Sequence, residues 1–494
     1  MTQAAEPAAP AAGFLTATPR PREGLWLGIA LALLACLPFA VARYPQMTDY
    51  ASHLARWHVM LDQGQSEWLA RHYVFTWRWS GNLGADLLIW PMAKLFGLET
   101  GGRIIGALVP VLTGLGLISV AWVLRGRVSV GALLAFATIW SPALCMGLLN
   151  FGLALALALF AFAGWVRLEG WRWRWLAFIP VGFVVWLAHL AGWGVLGILV
   201  LCYEMQRRPS LGGLFAAWPL TFPILLQMGS GEPLGVYLWG KDVVRFKIGI
   251  WIQALRDQNF MLDMDTLALM IFGIGYAAYK RKIDPRLGWA ALLLFVLTFA
   301  MPRHLGGGDY ADYRLIAVAL MIGCLSIEWR TPRWALWLVP VLFLLRLGVT
   351  TQAWDVNSRH MAQVLTVVEQ LPQGARVASA VEEDRGSWPL NPIEHVASYA
   401  TVRRDALVNS HFAIPGVHML SLRDATADFA DPSHRHFVEP GEPIDLAGFT
   451  PARQADFLWW VGKREPARLP QGAETIYRAP GTMLVRLAKP AGAR

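Results

Sequence analysis

Between residues 25 and 349 this chain repeats one pattern: apolar runs approaching bilayer length, separated by short clusters of arginine and lysine. The full-length runs are 25–42, 103–124, 128–146, 150–167, 175–188, 190–205, 211–228, 263–279, 286–301, 314–328 and 334–349. About 20 helical residues cross a hydrocarbon core of about 30 Å. Of 494 residues, 55% are hydrophobic and only 16% charged, too apolar for a soluble chain of this length. The expectation is an α-helical polytopic membrane protein. The formal charge of +9 does not point to nucleic acid. The basic residues lie between apolar runs, where they set orientation.

The run 83–97 is shorter and contains Trp90, Pro91 and Lys94. It covers only about 22 Å as a helix. Charge arbitrates its role. With the N-terminus in the cytoplasm and 83–97 a partial or re-entrant segment, five clusters fall inside. They are Arg125/Arg127, Arg167/Arg172/Arg174, Arg207/Arg208, Lys280/Arg281/Lys282/Arg286 and Arg330/Arg333. The expected transmembrane domain is thus 25–350, with about eleven spans and outer loops 43–82, 229–262 and 302–313. The runs 175–188 and 190–205 are either spans or half-helices meeting at His189. In 241–260, Val244, Ile248, Trp251 and Leu255 form the apolar stripe of an interfacial helix.

Residues 1–24, rich in Ala and Pro, read as a disordered cytoplasmic tail. Ala40-Val41-Ala42 imitates a signal-peptidase site. The run before it exceeds the usual h-region of roughly 7–15 residues, which favours an uncleaved anchor. Cys36, Cys145, Cys202 and Cys324 all lie in apolar runs without metal-site spacing. After residue 350 charges, prolines and histidines become dense, and 351–494 reads as a small extracytoplasmic α/β domain. Strands are expected at "ARVASAV", "DFLWWVG", "ETIYR" and "TMLVRLA", with helical pieces around 358–370. Glu382, Glu383 and Asp384 read as a solvated turn.

The stretch "TDYASHLARW" follows the first span. Read as a helix over 48–62 with Thr48 as N-cap, it carries Tyr50, Leu54, Trp57 and Leu61 on one stripe. Asp49, His53 and Arg56, at i, i+4 and i+7, form the neighbouring polar stripe. Either these charges reach water from an interfacial helix, or they face a reaction chamber.

The order of tail, span, outer loop opening with an acid, polytopic body and soluble C-terminal domain resembles the GT-C glycosyltransferase superfamily. Asp49-Tyr50-Ala51-Ser52-His53-Leu54-Ala55-Arg56 also resembles a "DYPxHLAR" signature of poorly characterised bacterial membrane proteins placed near it. Gly147-Leu148-Leu149-Asn150-Phe151-Gly152, His189-Leu190 and Gly307-Gly308-Asp309-Tyr310-Ala311-Asp312-Tyr313-Arg314 are similar to later landmarks. The resemblance implies a GT-C-like bundle in the bacterial inner membrane, part of the cell-envelope machinery. The N-terminus would be cytoplasmic and the C-terminal domain periplasmic. It implies transfer of a sugar from a polyprenyl-phosphate donor to a glycan, lipid or protein acceptor. It also implies a divalent cation, Mg or Mn, in many members. Carried over by position, the catalytic acid is Asp49. This chain lacks an adjacent acidic pair and has His53 where a second acid is expected.

An acceptor hydroxyl needs a base, for which Asp49 is the candidate, with His53 holding it or sharing a metal with it. The departing lipid phosphate needs cations, for which Arg56, Arg303, His304 and Arg314 are candidates. Asn82 and Asp86 flank the short segment, and Asp86 is either a second acid or a helix cap. Asn150 is either a ligand or a helix-junction hydrogen bonder. His189 is an intramembrane ionisable candidate or a neutral imidazole bonded to a carbonyl. Asp309, Asp312 and Arg314 form either a salt-bridged turn or a closure over the donor phosphate. The Trp-rich 171–175 reads as an interface belt. Two rivals stand beside transfer: a non-catalytic partner that keeps the architecture, and a lipid or polysaccharide transporter.

Overall fold

Where an apolar run breaks, a proline often opens the helical turn that resumes it, although Pro91, Pro110, Pro180 and Pro340 lie inside continuous helices. In the computed structural model, which describes residues 16–229, 237–305, 308–382, 390–413, 418–423, 429 and 442–488, three runs are broken, among them 211–228, which divides into Leu211–Phe215, Trp218–Leu220 and Phe222–Gly229. The first divides into Pro21–Leu34 and Leu37–Val41, with Pro38 in the opening turn of the second piece. The run 128–146 divides into Val130–Leu134, a 3₁₀ turn Ala135–Thr138 and Pro142–Cys145. Proline lacks the N–H that would continue a helix and is tolerated in its first turn. The molecule is mostly helical (62%), with a small sheet near the C-terminus. Among the described residues, five helical stretches are long and apolar enough to cross a membrane: Pro21–Val41, Leu98–Arg125, Leu149–Arg167, Phe260–Tyr279 and Arg333–Gln370.

The basic clusters gather at one end of the bundle. Asp284 pairs with Arg125 (3.4 Å) and Arg286 (2.8 Å), Glu204 with Arg174 (2.8 Å), and Glu23 with Arg333 (3.0 Å). Because the start of Arg174–Ala188 meets the end of Leu190–Arg207, these two helices run side by side as a hairpin reversing at His189. The Gly84–Phe96 helix has both ends at the opposite end of the bundle. Leu83 N donates to Leu187 O (2.8 Å) at its start, and Glu99, just past its end, pairs with Arg403 of the C-terminal region (2.8 Å). Trp171, Trp173 and Trp175 are exposed, as an interface belt requires.

The interfacial helix is shorter than its stripe suggests. It spans Val243–Ile252, with Val244 (73%) and Ile248 (54%) exposed, while Trp251 packs on Phe295 and Phe299 and Leu255 is buried beyond its end. Lys247 turns inward and donates to Asp312 Oδ2 (2.5 Å), Thr298 O (2.8 Å) and Met301 O (2.7 Å).

Helix Arg333–Val364 runs unbroken through residue 350, so the expected start of the soluble domain at 351 lies inside a helix. The helical pieces expected around 358–370 are the end of this helix and the 3₁₀ turn Leu365–Gln370. The sheet order is Leu407–Val408, Arg376–Val381, Phe457–Val461, Thr482–Arg486 and Glu474–Ala479. The first three strands are parallel and the last two antiparallel. Gly481, at φ +77°, makes the final turn. A second pair, Tyr73–Phe75 with Leu420–Leu422, stitches the loop after the first helices to the C-terminal region. Residues 1–15 of the expected tail, and Glu383 and Asp384, lie outside the described residues.

Arg346 ties the broken run 128–146 to its neighbours. Its guanidinium donates to Asp263 Oδ1 (3.1 Å), Trp140 O (3.1 Å), Leu255 O (2.6 Å) and Ala137 O. Those carbonyls are available because the helix is interrupted there, and an orphaned buried acceptor is costly. Arg346→Leu leaves Asp263 and three carbonyls without this donor. It should lower stability by about 3–5 kcal/mol, read as a large drop in thermal midpoint of the detergent-purified protein.

Candidate functional site

The polar stripe of "TDYASHLARW" is real but starts later than its sequence suggests. The helix is Tyr50–Asp62 and the N-cap is Asp49, not Thr48. Thr48 N and Asp49 N are drawn instead to Cys145 O (3.2 Å) and Met146 O (2.9 Å) of the broken helix, which fixes where the turn begins. Gly147, at φ +90°, lets this junction pass close by; a Cβ there would lie 3.3 Å from the Asp49 Cβ.

Asp86 organises the inner side of the stripe. It is 1% exposed, and its Oδ1 accepts from Arg56 Nη2 (2.6 Å) and Trp57 Nε1 (2.6 Å). Asn150 Nδ2 reaches Asp86 Oδ2 at 3.4 Å and donates to Asn82 Oδ1 (2.9 Å) and Asn82 O (2.8 Å), while Asn150 Oδ1 accepts from Ala85 N (2.6 Å). Arg56, Asn82, Asp86 and Asn150 therefore form one network. Within it Arg56 neutralises Asp86.

His53 Nε2 lies 3.1 Å from Gly147 O and Nδ1 lies 3.5 Å from Arg56 Nη2. A carbonyl accepts and a guanidinium donates, so the ring is neutral with its proton on Nε2. Burial, reinforced by the Arg56 charge, pushes its pKa down to about 3. With both ring nitrogens occupied, His53 does not fit a divalent cation shared with Asp49. Among the described residues no group of three His, Cys, Asp or Glu is arranged to hold one.

The Asp49 carboxyl, about one-fifth exposed, meets a histidine from the C-terminal region that was not among the expected site residues. His395 Nε2 lies 3.6 Å from Asp49 Oδ1 and 3.8 Å from Glu394 Oε1. Its Nδ1 donates to Ser410 O (2.7 Å), and burial lowers its pKa against the raising effect of Asp49. Phe412 packs against His53, His395 and His418. These residues lie more than 340 positions from Asp49. A density of histidine in a polar segment was the only signal available.

The remaining candidates divide. Arg303 grips Asp309 with two hydrogen bonds of 2.9 Å, and His304 Nδ1 lies 3.1 Å from the same carboxylate. Asp312, fully buried, is held by Lys247. So Asp309 and Asp312 belong to two separate ion pairs. Arg314 meets His189 (3.0 Å) and donates to Asp309 O (2.9 Å), with Asp49 and Asp309 as its acidic neighbours. Asp49, His395, Arg314 and His189 thus lie around one region at the end of the bundle beneath the C-terminal domain. That arrangement places a carboxylate and an imidazole beside a guanidinium, the parts needed to remove a proton and to hold an anion.

No protein-family model, curated protein or solved structure matches this chain.

The histidines at this junction also set its response to acid. His411 is pushed down to about 3 by burial and then by His395, and His418 to about 4 by burial and then by Arg56 and Arg78. A histidine whose pKa falls on folding binds protons more readily when released. Its stabilising contribution is complete above about 6.5 and is lost as pH falls toward the folded value. Acidification from pH 7 to 4 should therefore loosen the C-terminal domain from the Tyr50–Asp62 helix. Hydrogen exchange across 391–412 should rise progressively below pH 6.5, and protection that stays constant down to pH 4 would contradict this account.

Proposed function

We propose that this chain is a GT-C-like membrane glycosyltransferase, which moves a sugar from a polyprenyl-phosphate donor to an acceptor on the periplasmic side of a bacterial inner membrane. In this reading the chain crosses the bilayer eleven times. The basic end of the bundle faces the cytoplasm, and 351–494 lies outside. The placement of Asp49 carries the proposal. Its carboxyl sits at the non-basic end of the bundle, close enough to Arg314 to act on its charge, beneath His395 of the C-terminal domain.

The chemistry fits these parts. Sugar nucleotides are charged and stay in the cytoplasm, so an outer-face enzyme needs a donor that travels in the membrane. The acceptor hydroxyl is a poor nucleophile until a carboxylate orients it and helps remove its proton. As its oxygen bonds to the anomeric carbon, the bond from that carbon to the phosphate oxygen breaks. The electron pair leaves on the lipid phosphate, where a guanidinium stabilises the charge. Arg314 suits this role better than Arg56 or Arg303, since Asp86 and Asp309 neutralise those two. The acceptor itself is a glycan, lipid or protein.

Asp49→Asn keeps the size of the side chain and removes the base. Transfer from polyprenyl-phosphate sugars by membranes carrying this variant should fall about 10²–10⁴-fold at unchanged protein level. Wild-type product yield from Asp49→Asn would sink the assignment.

A further inference from the structure

His189 occupies the reversal between Arg174–Ala188 and Leu190–Arg207 and caps the second helix: its Nδ1 accepts from Ala191 N at 3.0 Å. A backbone amide only donates, so Nδ1 carries the lone pair and the ring proton resides on Nε2. That Nε2–H points at Arg314 Nη1, 3.0 Å away, and a guanidinium nitrogen also only donates. Two N–H groups therefore face each other at hydrogen-bond distance, with no acceptor between them. Protonating the imidazole would not help, because it would add a third donor and break the cap.

Arg314 is short of acceptors in two further respects. Its Nε is buried without a hydrogen-bond partner, and among the described residues no carboxylate lies within 4.0 Å of its guanidinium. Its Nη2 is satisfied by a neutral carbonyl, Asp309 O, while the Asp309 carboxylate serves Arg303 and His304. The guanidinium is part-buried, but its Nε is sealed from solvent, and a desolvated donor without an acceptor is costly. An adjoining cavity of about 30 Å³, lined by Arg314, Thr113, Thr138, Ser141 and Phe151 among others, has room for about two water-sized atoms beside the guanidinium.

We infer that His189 and Arg314 together form an anion site for a phosphoryl group, with His189 donating from Nε2 and Arg314 from Nη1 and Nε. One oxyanion beside the pair, accepting from both nitrogens, turns the facing donors into two charge-assisted hydrogen bonds and supplies the missing counter-ion. A lipid headgroup and a free phosphate share this chemistry. The inference shares Arg314 with the transfer reading and to that extent rests on it. Binding alone tests it, so either can fail without the other.

The test is titration of the detergent-purified full chain with inorganic phosphate, a polyprenyl phosphate and the corresponding polyprenol. His189→Asn is the informative variant, since asparagine still caps Ala191 N but is too short to replace the Nε2 donor. The wild type should bind a phosphoryl compound and not the bare alcohol. Both His189→Asn and Arg314→Gln should bind it at least about tenfold more weakly, the loss expected for one hydrogen bond to a charged group. Tighter binding of the polyprenyl phosphate than of inorganic phosphate identifies a lipid headgroup, and equal binding identifies a free phosphate. If His189→Asn fails to fold, Arg314→Gln decides alone. Wild-type protein that binds neither phosphoryl compound, polyprenol binding as tightly as its phosphate, or variants that keep wild-type affinity would each overturn the site.

Discussion

A carboxylate sealed from solvent has to be matched, and Asp86 is matched by three side chains from two helices. Arg56 and Trp57 reach it from the Tyr50–Asp62 helix and Asn150 from the Leu149–Arg167 helix, while Asp86 itself sits in the opening turn of Gly84–Phe96. Removing one partner would strand a buried charge, a loss of several kcal/mol. This pairing clamps the polar helix across the end of the bundle, and the positions of Asp49 and His53 depend on that clamp. The C-terminal domain then closes on the same helix. Ser52 donates to Ser410 O (3.1 Å), and His58 meets Asp405 (2.8 Å).

The same rule distributes the other cations. Lys247 is matched by Asp312, Arg303 by Asp309, and Arg346 by Asp263. The two buried pairs, Lys247–Asp312 and Arg346–Asp263, contribute little net stability but fix geometry, because every alternative arrangement leaves a charge uncompensated. Arg314 departs from this pattern. It faces an imidazole that also donates, and its carboxylate neighbours act only at longer range. A site that is incomplete by its own hydrogen-bond inventory is where a ligand has something to add.

Some of this was legible in the residues. The i, i+4, i+7 spacing of Asp49, His53 and Arg56 placed them on one helical face, and four of the strands lie where alternating or apolar stretches predicted them. Where the reading went astray, a non-local contact outweighed local chemistry. Thr48 is a good N-cap by type, yet carbonyls of the broken helix took the backbone N–H groups of Thr48 and Asp49, and the helix began one residue later. Lys247 sits on a helix whose Val244 and Ile248 face outward, and nothing in its neighbours announced that it turns inward to Asp312, 65 positions away. The change in composition after residue 350 falls inside the Arg333–Val364 helix, which continues because backbone hydrogen bonding does not depend on whether side chains face lipid or water.

Composition and periodicity by themselves determined that this chain is helical, that several of its helices are apolar enough for a membrane, and that an acid, a histidine and an arginine share one face after the first of them. Those are properties of spacing along a single helix, and spacing is written in the sequence. Which charges neutralise one another, that His395 comes to Asp49, and that His189 and Arg314 meet donor to donor were decided only by the tertiary structure. Such contacts join residues from 30 to nearly 350 positions apart, and the cost of an unmatched buried charge is settled only once every possible partner has been brought within reach.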